Sequence, residues 1–256
     1  MANTVYPNKV IEAKAKDLLT TSLNTRSLMS VDNSLTATAG MTKTINVYTY
    51  NGTAEELATG EANSNRGSIS YVGKDYTVKR VQQTFDYFDD DYMKDNTIVD
   101  NMLKGANQVM VNKMTADFAA ECAKATISHT VPAFGYEGVV EAISKLNFED
   151  ESKLMIVAPN EWKAEMRLDE DFKAARMGEV VYSGQTHVLS GIPVIFSNAV
   201  NEAYVMTNEA VKLFMKKDVE VEQERDIEKK QNTVVLSTYY ICALEDATKI
   251  CKVVKG

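Results

Sequence analysis

The longest uninterrupted helical pattern in the chain covers Asn96–Thr126, and it restricts the folds that the chain can adopt. No proline interrupts the segment, and Asp95, Asn96 or Thr97 can each provide an N-cap oxygen. At about 1.5 Å per residue the helix would be roughly 45 Å long, which exceeds most helices of a compact domain. Its apolar residues recur at three- and four-residue steps along one face: Val99, Met102, Leu103, Ala106, Val109 and Met110.

The apolar face of this predicted helix changes direction part of the way along. Continued past Met110, the same face would reach three charged residues: Lys113, Asp117 and Glu121. The apolar positions move instead to a neighbouring face: Val111, Met114, Phe118 and Cys122. We predict one helix that packs on two successive neighbours and bridges two structural units, with the change near Met114.

Composition is that of a soluble globular protein. The chain has 256 residues, of which 45% are hydrophobic and 25% charged, and this length fits one large domain or two small ones. Its net charge of -8 disfavours general binding of nucleic acid. Since no apolar run has the length of a membrane span or the form of a signal peptide, we expect neither a secreted nor a membrane-spanning product.

The residues that could bind a metal or a cofactor do not form a recognisable site. Cys122, Cys242 and Cys251 form no CxxC pair and have no histidine at ligand spacing, so we expect buried, reduced thiols. The acidic run Asp89–Asp91 lacks the glycine and terminal glutamate of a calcium loop. We interpret it as acids favoured by the positive end of a helix, and we predict no metal or cofactor.

Catalytic motifs are likewise missing from the sequence, and we predict that the protein is not an enzyme. The only histidines are His129 and His187, which we expect to be exposed loop residues, and no G-x-S-x-G elbow occurs. No GxGxxG is present, and the segment Gly67–Lys74 departs from a P-loop because it has one residue too many between its glycines.

A long polar segment, Asn51–Lys74, separates strand-like sequences in the first half of the chain. Thr42–Tyr50 before it has a strand pattern that predicts two partly covered faces, and Ser68–Tyr71 and Asp75–Phe85 can pair after it. We predict a projecting two-stranded flap that lies on a neighbouring chain, because an isolated hairpin is marginally stable in water. We expect a bulge where the Asp75–Phe88 alternation shifts phase.

The segments before the flap and after the long helix complete an α+β pattern. Ser27–Met41 has little periodicity and needs another surface to order it, after a short helix within Asn8–Leu23. We interpret Ser128–Tyr136 as a linker and Glu222–Lys230 as a solvated connection. The predicted elements of the second half are a helix at Gly138–Leu146, a short helix from Pro159, and strands at Leu154–Ala158, Val180–Tyr182, Ile192–Phe196, Tyr204–Thr207, Val211–Met215, Val219–Val221, Thr233–Cys242 and Ile250–Val254.

The arm, the flap and the long helix each offer more surface than one compact core can bury. Ordering them in a lone monomer would cost conformational entropy with little burial in return. Neighbouring subunits would supply the missing contacts, so the pattern favours a structural, self-assembling protein.

The order of arm, strand, extended loop, strand, long helix, mixed α/β region and returning β segments resembles the major capsid protein of tailed bacteriophages, with the Hong Kong 97-type coat fold. The second half carries the closest likeness, including Glu224–Asp226 and the last strands. In that family, a short helix such as that after Val157–Asn160, with Trp162, Met166 and Leu168, leads to a glycine, a hairpin and an L-x-G-x-P-V entry. Here those positions are Gly178, Gly184, Leu189, Gly191, Pro193 and Val194.

The resemblance implies a division of the chain into an N-terminal arm (1–41), an extended loop and peripheral domain with the spine helix (42–130), an axial domain (131–197) and returning β segments of both domains (198–256). The arm is shorter than the cleaved scaffolding segment of some members, so a separate scaffolding protein, or none, is implied. Lys74 lies at the base of the loop, and nothing assigns it the crosslinking role of a loop lysine in some members.

The resemblance also implies the function and the partners. The protein would self-assemble into pentamers and hexamers that form an icosahedral shell around phage DNA, without sequence-specific contact. Scaffolding, portal and decoration proteins would be its further partners, and it would be a virion component assembled in the host cytoplasm. The candidate subunit-interface residues are Glu61, Arg66, Lys74, Arg225 and Asp226.

Two alternatives remain open on the sequence. An encapsulin-like nanocompartment has the same fold but would enclose an enzyme in place of DNA. An α/β enzyme built on Leu154–Phe196 belongs to a different class, and it would need an acid–base pair that the sequence does not display.

Overall fold

A computed structural model describes residues 14–15, 28–37, 39–170 and 188–256. Its helices are α1 (Asp89–Lys94), α2 (Ile98–Cys122), α3 (Tyr136–Leu146) and α4 (Lys163–Leu168), with 3₁₀ turns at Glu151–Lys153, Asn160–Trp162 and Ala247–Lys249. Its strands are β1 (Ser30–Asp32), β2 (Thr42–Asn51), β3 (Ser68–Thr77), β4 (Lys79–Phe88), β5 (Ile127–Val131), β6 (Leu154–Pro159), β7 (Val188–Leu189), β8 (Ile192–Ser197), β9 (Ala203–Thr207), β10 (Val211–Asp226), β11 (Gln231–Leu244) and β12 (Ile250–Lys255).

A four-stranded sheet has the order β1-β10-β11-β4 and is covered on one face by α2. Strands β10 and β11 form a long antiparallel hairpin from the pair Val211–Leu244 to the pair Asp226–Gln231. Its register shifts twice, between Met215 and Lys217 and between Lys217 and Glu220. The first half of α2 packs on the apolar side chains of this sheet: Val99, Leu103, Ala106 and Met110 contact the cluster of Val219, Val221, Val234 and Leu236.

A second sheet has the order β5-β12-β9-β6-β8-β7. Its strand β6 is buried at every position, as the apolar run Leu154–Ala158 predicts for a strand with both faces covered. Helix α3 packs on this sheet through Val139, Ile143 and its other buried residues. Gly138 allows the close approach, since a Cβ atom there would lie 2.6 Å from Val131 Cγ1.

The second half of α2 lies between the two sheets. Met114, Phe118 and Cys122 belong to a cluster that draws Met155 and Tyr204 from the six-stranded sheet and other residues from the four-stranded sheet. The prediction of one helix with two successive neighbours and a change near Met114 is therefore confirmed, because the buried apolar residues up to Met110 belong to a different cluster. Val111, which we predicted on the second face, also lies in that first cluster.

Two expectations about this helix are wrong: its bounds, and the place of Val109 on its packed face. The helix runs from Ile98 to Cys122, so it is shorter at both ends than Asn96–Thr126, and Val109 is 52% exposed. Asp117 and Glu121 are buried, so the first face continues inward through charged positions. These carboxylates can be buried because each has a polar partner: Asp117 contacts Tyr240 and Lys113, and Glu121 contacts Lys124.

Pairing with distant strands explains the other differences from the sequence predictions. The predicted linker from Ser128 begins as strand β5, because the C-terminal strand β12 pairs with it in parallel. The predicted solvated connection from Glu222 begins as the end of β10, paired to β11. The expected bulge is wrong, because β4 pairs with β11 in unbroken register from Lys79 to Phe88. The chain passes instead from the flap to the four-stranded sheet at Val78, whose N–H donates a hydrogen bond to Met41 O (2.7 Å).

Several predictions fall outside the described residues: the strand Val180–Tyr182, the motif glycines Gly178 and Gly184, His187, and most of the arm. The three cysteines are buried and free, as predicted. Among the helices that the structure describes, none is long and apolar enough to cross a membrane.

Candidate assembly surfaces

Among the strands that the structure describes, β2 and β3 pair only with each other, and they form the flap predicted from the sequence. Their antiparallel register runs from the pair Thr42–Thr77 to the pair Asn51–Ser68. Directly opposed residues share a face of a hairpin. The pairs Tyr48–Tyr71 and Tyr50–Ile69 therefore place four apolar side chains on one face, and these are 61–68% exposed. The expectation that both faces of β2 are partly covered is wrong for this face.

The root of the flap is anchored to the four-stranded sheet. Ile45 and Val78 are buried in a small cluster with Phe214 and Ile241. Lys43 Nζ lies 5.2 Å from the centre of the Phe214 ring, a cation–π distance. Within the described part of the chain, the flap is thus anchored at its root, and its apolar face projects beyond this anchor.

The connection at the end of the flap, which we call the flap tip (Thr53–Asn65), is organised by one carboxylate. Glu55 accepts hydrogen bonds from the N–H and hydroxyl groups of Ser64 (3.0 and 3.1 Å) and from Asn65 N–H (3.4 Å). The hydrogen bonds from Ser64 lower the pKa of the Glu55 carboxyl below its ordinary value. Glu55 therefore remains ionised at neutral pH.

The neck of the flap tip closes around Tyr50. A Cβ atom at Gly52 would lie 2.4 Å from the Tyr50 hydroxyl oxygen, and one at Gly67 would lie 2.1 Å from it. A side chain at either position would displace the tyrosine. The two glycines therefore let Tyr50 lie across the neck, next to the exposed apolar face.

The candidate interface residues of the flap are all exposed. Glu61 accepts a hydrogen bond from Ala58 N–H (3.2 Å) within the flap tip. Arg66 is the first residue after the flap tip. Lys74 lies in β3 opposite Ile45, near the root. The structure thus spreads these three residues along the length of the flap.

The other two candidates, Arg225 and Asp226, lie at the far end of the four-stranded sheet and have partners within the chain. Arg225 Nη2 lies 2.7 Å from Asp89 Oδ2, and Asn232 donates to the other oxygen of Asp89 (2.9 Å). Asp226 accepts from the N–H groups of residues 228 and 229 in the adjoining turn. Asp89 thus fixes the start of α1, as expected for an acidic residue at a helix N-terminus.

Two buried carboxylates between α2 and its neighbours were not predicted. Asp117 accepts a hydrogen bond from the Tyr240 hydroxyl (2.8 Å) and pairs with Lys113 Nζ (2.6 Å). Glu121 pairs with Lys124 Nζ (2.6 Å) through one oxygen, and its other oxygen has no hydrogen-bond partner among the residues described. The lysines at helical spacing are the only sequence signal for either pair.

A groove of about 570 Å³ lies beside α3 and the end of α4. Among the lining residues that the structure describes, only Glu165, Leu168 and Asp169 belong to Leu154–Phe196, the segment of the enzyme alternative. Two of the acidic residues that line the groove have partners within the chain. Asp169 accepts a hydrogen bond from Tyr136 N–H (2.6 Å), and Glu165 forms an ion pair with Lys255. His129 lies in β5 with its side chain 13% exposed and Nε2 2.7 Å from Glu141 Oε2, so the expectation of an exposed loop histidine is wrong. Within the described ranges, no group of three or more potential ligands could hold a metal ion.

No protein-family model matches the chain, and no curated protein matches its sequence. Solved structures match its fold. The capsid of the cyanophage P-SCSP1u matches with a TM-score of 0.70 at 10% identity, over 91% of this chain and 88% of that one. The capsid of a native GTA particle matches with a TM-score of 0.68 at 12% identity, over 99% and 93%. A virus-like particle from Pyrococcus furiosus matches with a TM-score of 0.66 at 10% identity, over 97% and 100%.

These matches extend over 91–99% of this chain and 88–100% of the matched chains. The protein therefore has the Hong Kong 97-type capsid fold, an α+β architecture, as the sequence predicted.

Proposed function

We propose that this protein is the major capsid protein of a tailed bacteriophage. It assembles into pentamers and hexamers, and these form an icosahedral shell around DNA. The observation that carries the proposal is the flap, which is anchored at its root and exposes four apolar side chains on one face.

An isolated two-stranded hairpin is marginally stable in water, and contiguous exposed apolar surface marks an interaction site. A second copy of the chain that packs on this face would stabilise the hairpin and would remove its apolar surface from water. The fold supports this explanation, because the matched structures are named as capsids and a virus-like particle, which are repeating assemblies.

The two sheets have separate roles in the proposed shell. The four-stranded sheet with α2 forms the peripheral domain, which carries the flap at one end and Arg225 and Asp226 at the other. The six-stranded sheet forms the axial domain around pentamer and hexamer centres, and it includes β9 and β12 from the returning segments. Glu61, Arg66 and Lys74 are proposed interface residues because they lie along the exposed flap.

The remaining partners follow from this role. Packaged DNA is enclosed without sequence-specific contact, in keeping with the net charge of -8. Portal, scaffolding and decoration proteins bind the assembled shell or its precursors, and assembly takes place in the host cytoplasm. The function is assembly, with no chemical turnover.

Light scattering and sedimentation of the purified full-length protein test the proposal. The expected result is closed particles, or pentamers and hexamers that combine into particles as the protein concentration rises. A stable monomer in every salt condition would overturn the proposal. For particles purified from the native source, DNA that is protected from nuclease supports the phage shell, whereas an enclosed enzyme would indicate the encapsulin-like alternative.

A further inference from the structure

Asn51 is followed by Gly52, and this is the one Asn-Gly pair of the sequence. It lies at the neck of the flap, where the ladder of β2 and β3 ends at the pair Asn51–Ser68, and both of its residues are exposed. Asparagine is a thermolabile residue, because its side-chain amide can react with the backbone nitrogen of the next residue. Glycine has no Cβ atom to obstruct that approach or to restrict the backbone. The neck is therefore a candidate site of spontaneous modification.

The backbone nitrogen of Gly52 is available for this reaction. Gly52 lies beyond the last paired residue of β2, and its N–H donates no hydrogen bond within the part of the chain that the structure describes. The nitrogen must lose its proton before it attacks, and an acceptor that binds the proton opposes this loss. Since Gly52 has no such acceptor, its nitrogen is not restrained in this way.

The other asparagines of comparable sequence are restrained by hydrogen bonds. Three of them precede serine or alanine, and in each case the next backbone N–H donates to a side-chain oxygen. These bonds are Ser34 N–H to Asp32 Oδ1 (2.7 Å), Ser64 N–H to Glu55 Oε2 (3.0 Å) and Ala199 N–H to Ser197 Oγ (3.2 Å). Asparagines inside α2 are followed by nitrogens that are bonded within the helix. The structure thus distinguishes Asn51 from Asn33, Asn63 and Asn198.

We propose that Asn51 is a site of spontaneous deamidation in the free subunit. The Gly52 nitrogen loses its proton to solvent and bonds to Asn51 Cγ, and the bond from Cγ to Nδ2 breaks, so that ammonia leaves. The product is a cyclic imide. Water then opens the ring at one of its two carbonyl groups, which gives aspartate or isoaspartate. Water is the co-reactant, and the sequence of steps needs no oxidant or reductant.

Either product changes the flap at its neck. Each adds a negative charge next to the flap tip, which already carries three glutamates and no lysine or arginine. Isoaspartate also lengthens the main chain by one methylene group at the last pair of the ladder. Tyr50 lies across the neck between Gly52 and Gly67, so a shift of the main chain there also moves the exposed apolar face. The loss of assembly that we expect from this change rests on the proposed function, whereas the modification itself does not.

Peptide mapping by mass spectrometry tests the modification. Purified full-length protein, kept at mildly alkaline pH and below the concentration of assembly, should convert Asn51 to a mixture of aspartate and isoaspartate. Asn33, Asn63 and Asn198 in the same samples are internal controls, and each should convert at least about tenfold more slowly, because its neighbouring nitrogen is hydrogen-bonded. The variant Asn51→Gln should keep its amide. An Asn51 that converts no faster than the three controls would overturn the proposal.

Sedimentation of fresh and aged protein tests the effect on assembly. Aged wild type should need about tenfold more protein to assemble than fresh wild type, and Asn51→Gln aged in the same way should assemble like its fresh sample. Thermal unfolding confirms that each sample is folded. If Asn51 has converted and aged wild type assembles as the fresh protein does, the effect on assembly is wrong while the proposed function stands. If fresh wild type itself stays monomeric, the proposed function fails, and the peptide map still decides whether Asn51 is modified.

Discussion

The hydroxyl group of Tyr240 donates a hydrogen bond to Asp117 Oδ2 (2.8 Å) across the boundary between β11 and α2. Both residues are buried, and Lys113 Nζ holds the second oxygen of the carboxylate (2.6 Å). This bond joins the long helix to the four-stranded sheet at the level where the helix also meets the six-stranded sheet.

Removing the Tyr240 hydroxyl should therefore destabilise the protein. We expect Tyr240→Phe to lower the free energy of unfolding by about 1–3 kcal/mol, since a buried carboxylate loses a donor. Denaturant unfolding of the monomer or of dissociated capsomers measures this change. Tyr239→Phe is the matched control on the opposite face of the same strand, and we expect it to change stability by less than about 0.5 kcal/mol. Equal effects of the two substitutions would contradict the structural role of the bond.

Alkaline pH should destabilise the fold through its buried tyrosines. Burial, with help from the nearby Asp117, raises the pKa of Tyr240, and burial raises the pKa of Tyr204 likewise. Because the folded-state pKa values lie above the ordinary value of about 10, the neutral forms are favoured on folding. The resulting stability is complete below about pH 10 and is lost as the pH rises further.

Urea unfolding between pH 8 and pH 11 tests this dependence. Above the ordinary tyrosine pKa, each of the two tyrosines should lower the free energy of unfolding by about 1.4 kcal/mol per pH unit. Tyr240→Phe should reduce that slope, while Tyr239→Phe should leave it unchanged. A free energy of unfolding that is constant from pH 8 to pH 11 would contradict the prediction.

The exposed face of the flap should affect assembly far more than folding. We expect Tyr48→Ser/Tyr71→Ser to shift assembly to concentrations about tenfold higher or more, because apolar surface buried between subunits contributes about 25 cal/mol per Å². The thermal unfolding of the monomer should change little, since both side chains are more than 60% exposed. Sedimentation at several protein concentrations measures the shift.

The control for this prediction is Leu168→Ser, which removes an apolar side chain of similar exposure (69%) at the end of α4. If both variants assemble as wild type does, the flap face is not part of the interface. If the tyrosine variant unfolds at a much lower temperature than wild type, the face is buried within the monomer, in contrast to the structure described here.

Local patterns were sufficient to predict the elements that depend on a single period. The three- and four-residue spacing of α2 and α3 and the apolar run of β6 are signals carried within each segment. Burial of Asp117 was not predictable in this way, because its donor Tyr240 is 123 positions away in the chain. Strand β5 was missed for a similar reason, since its polar sequence becomes a strand only by pairing with the C-terminal strand β12.

In the candidate interface too, local sequence patterns were informative, whereas features that depend on pairing between distant residues were not predictable. The polar composition of Asn51–Lys74 was enough to predict a projecting flap, whereas its apolar face emerged only from the register that opposes Tyr48 to Tyr71. Glu61, Arg66, Lys74, Arg225 and Asp226 remain predictions as interface residues. Arg225 and Asp226 already have partners within the chain, so their role requires those contacts to persist or exchange on assembly.

Negative-stain electron microscopy of the purified full-length protein tests the central claim most directly. We expect closed, round particles built from pentamers and hexamers, and far fewer of them from the Tyr48→Ser/Tyr71→Ser variant at the same concentration. Fields that contain only small, monomer-sized molecules, across the salt and concentration range in which the protein stays folded, would contradict the central claim.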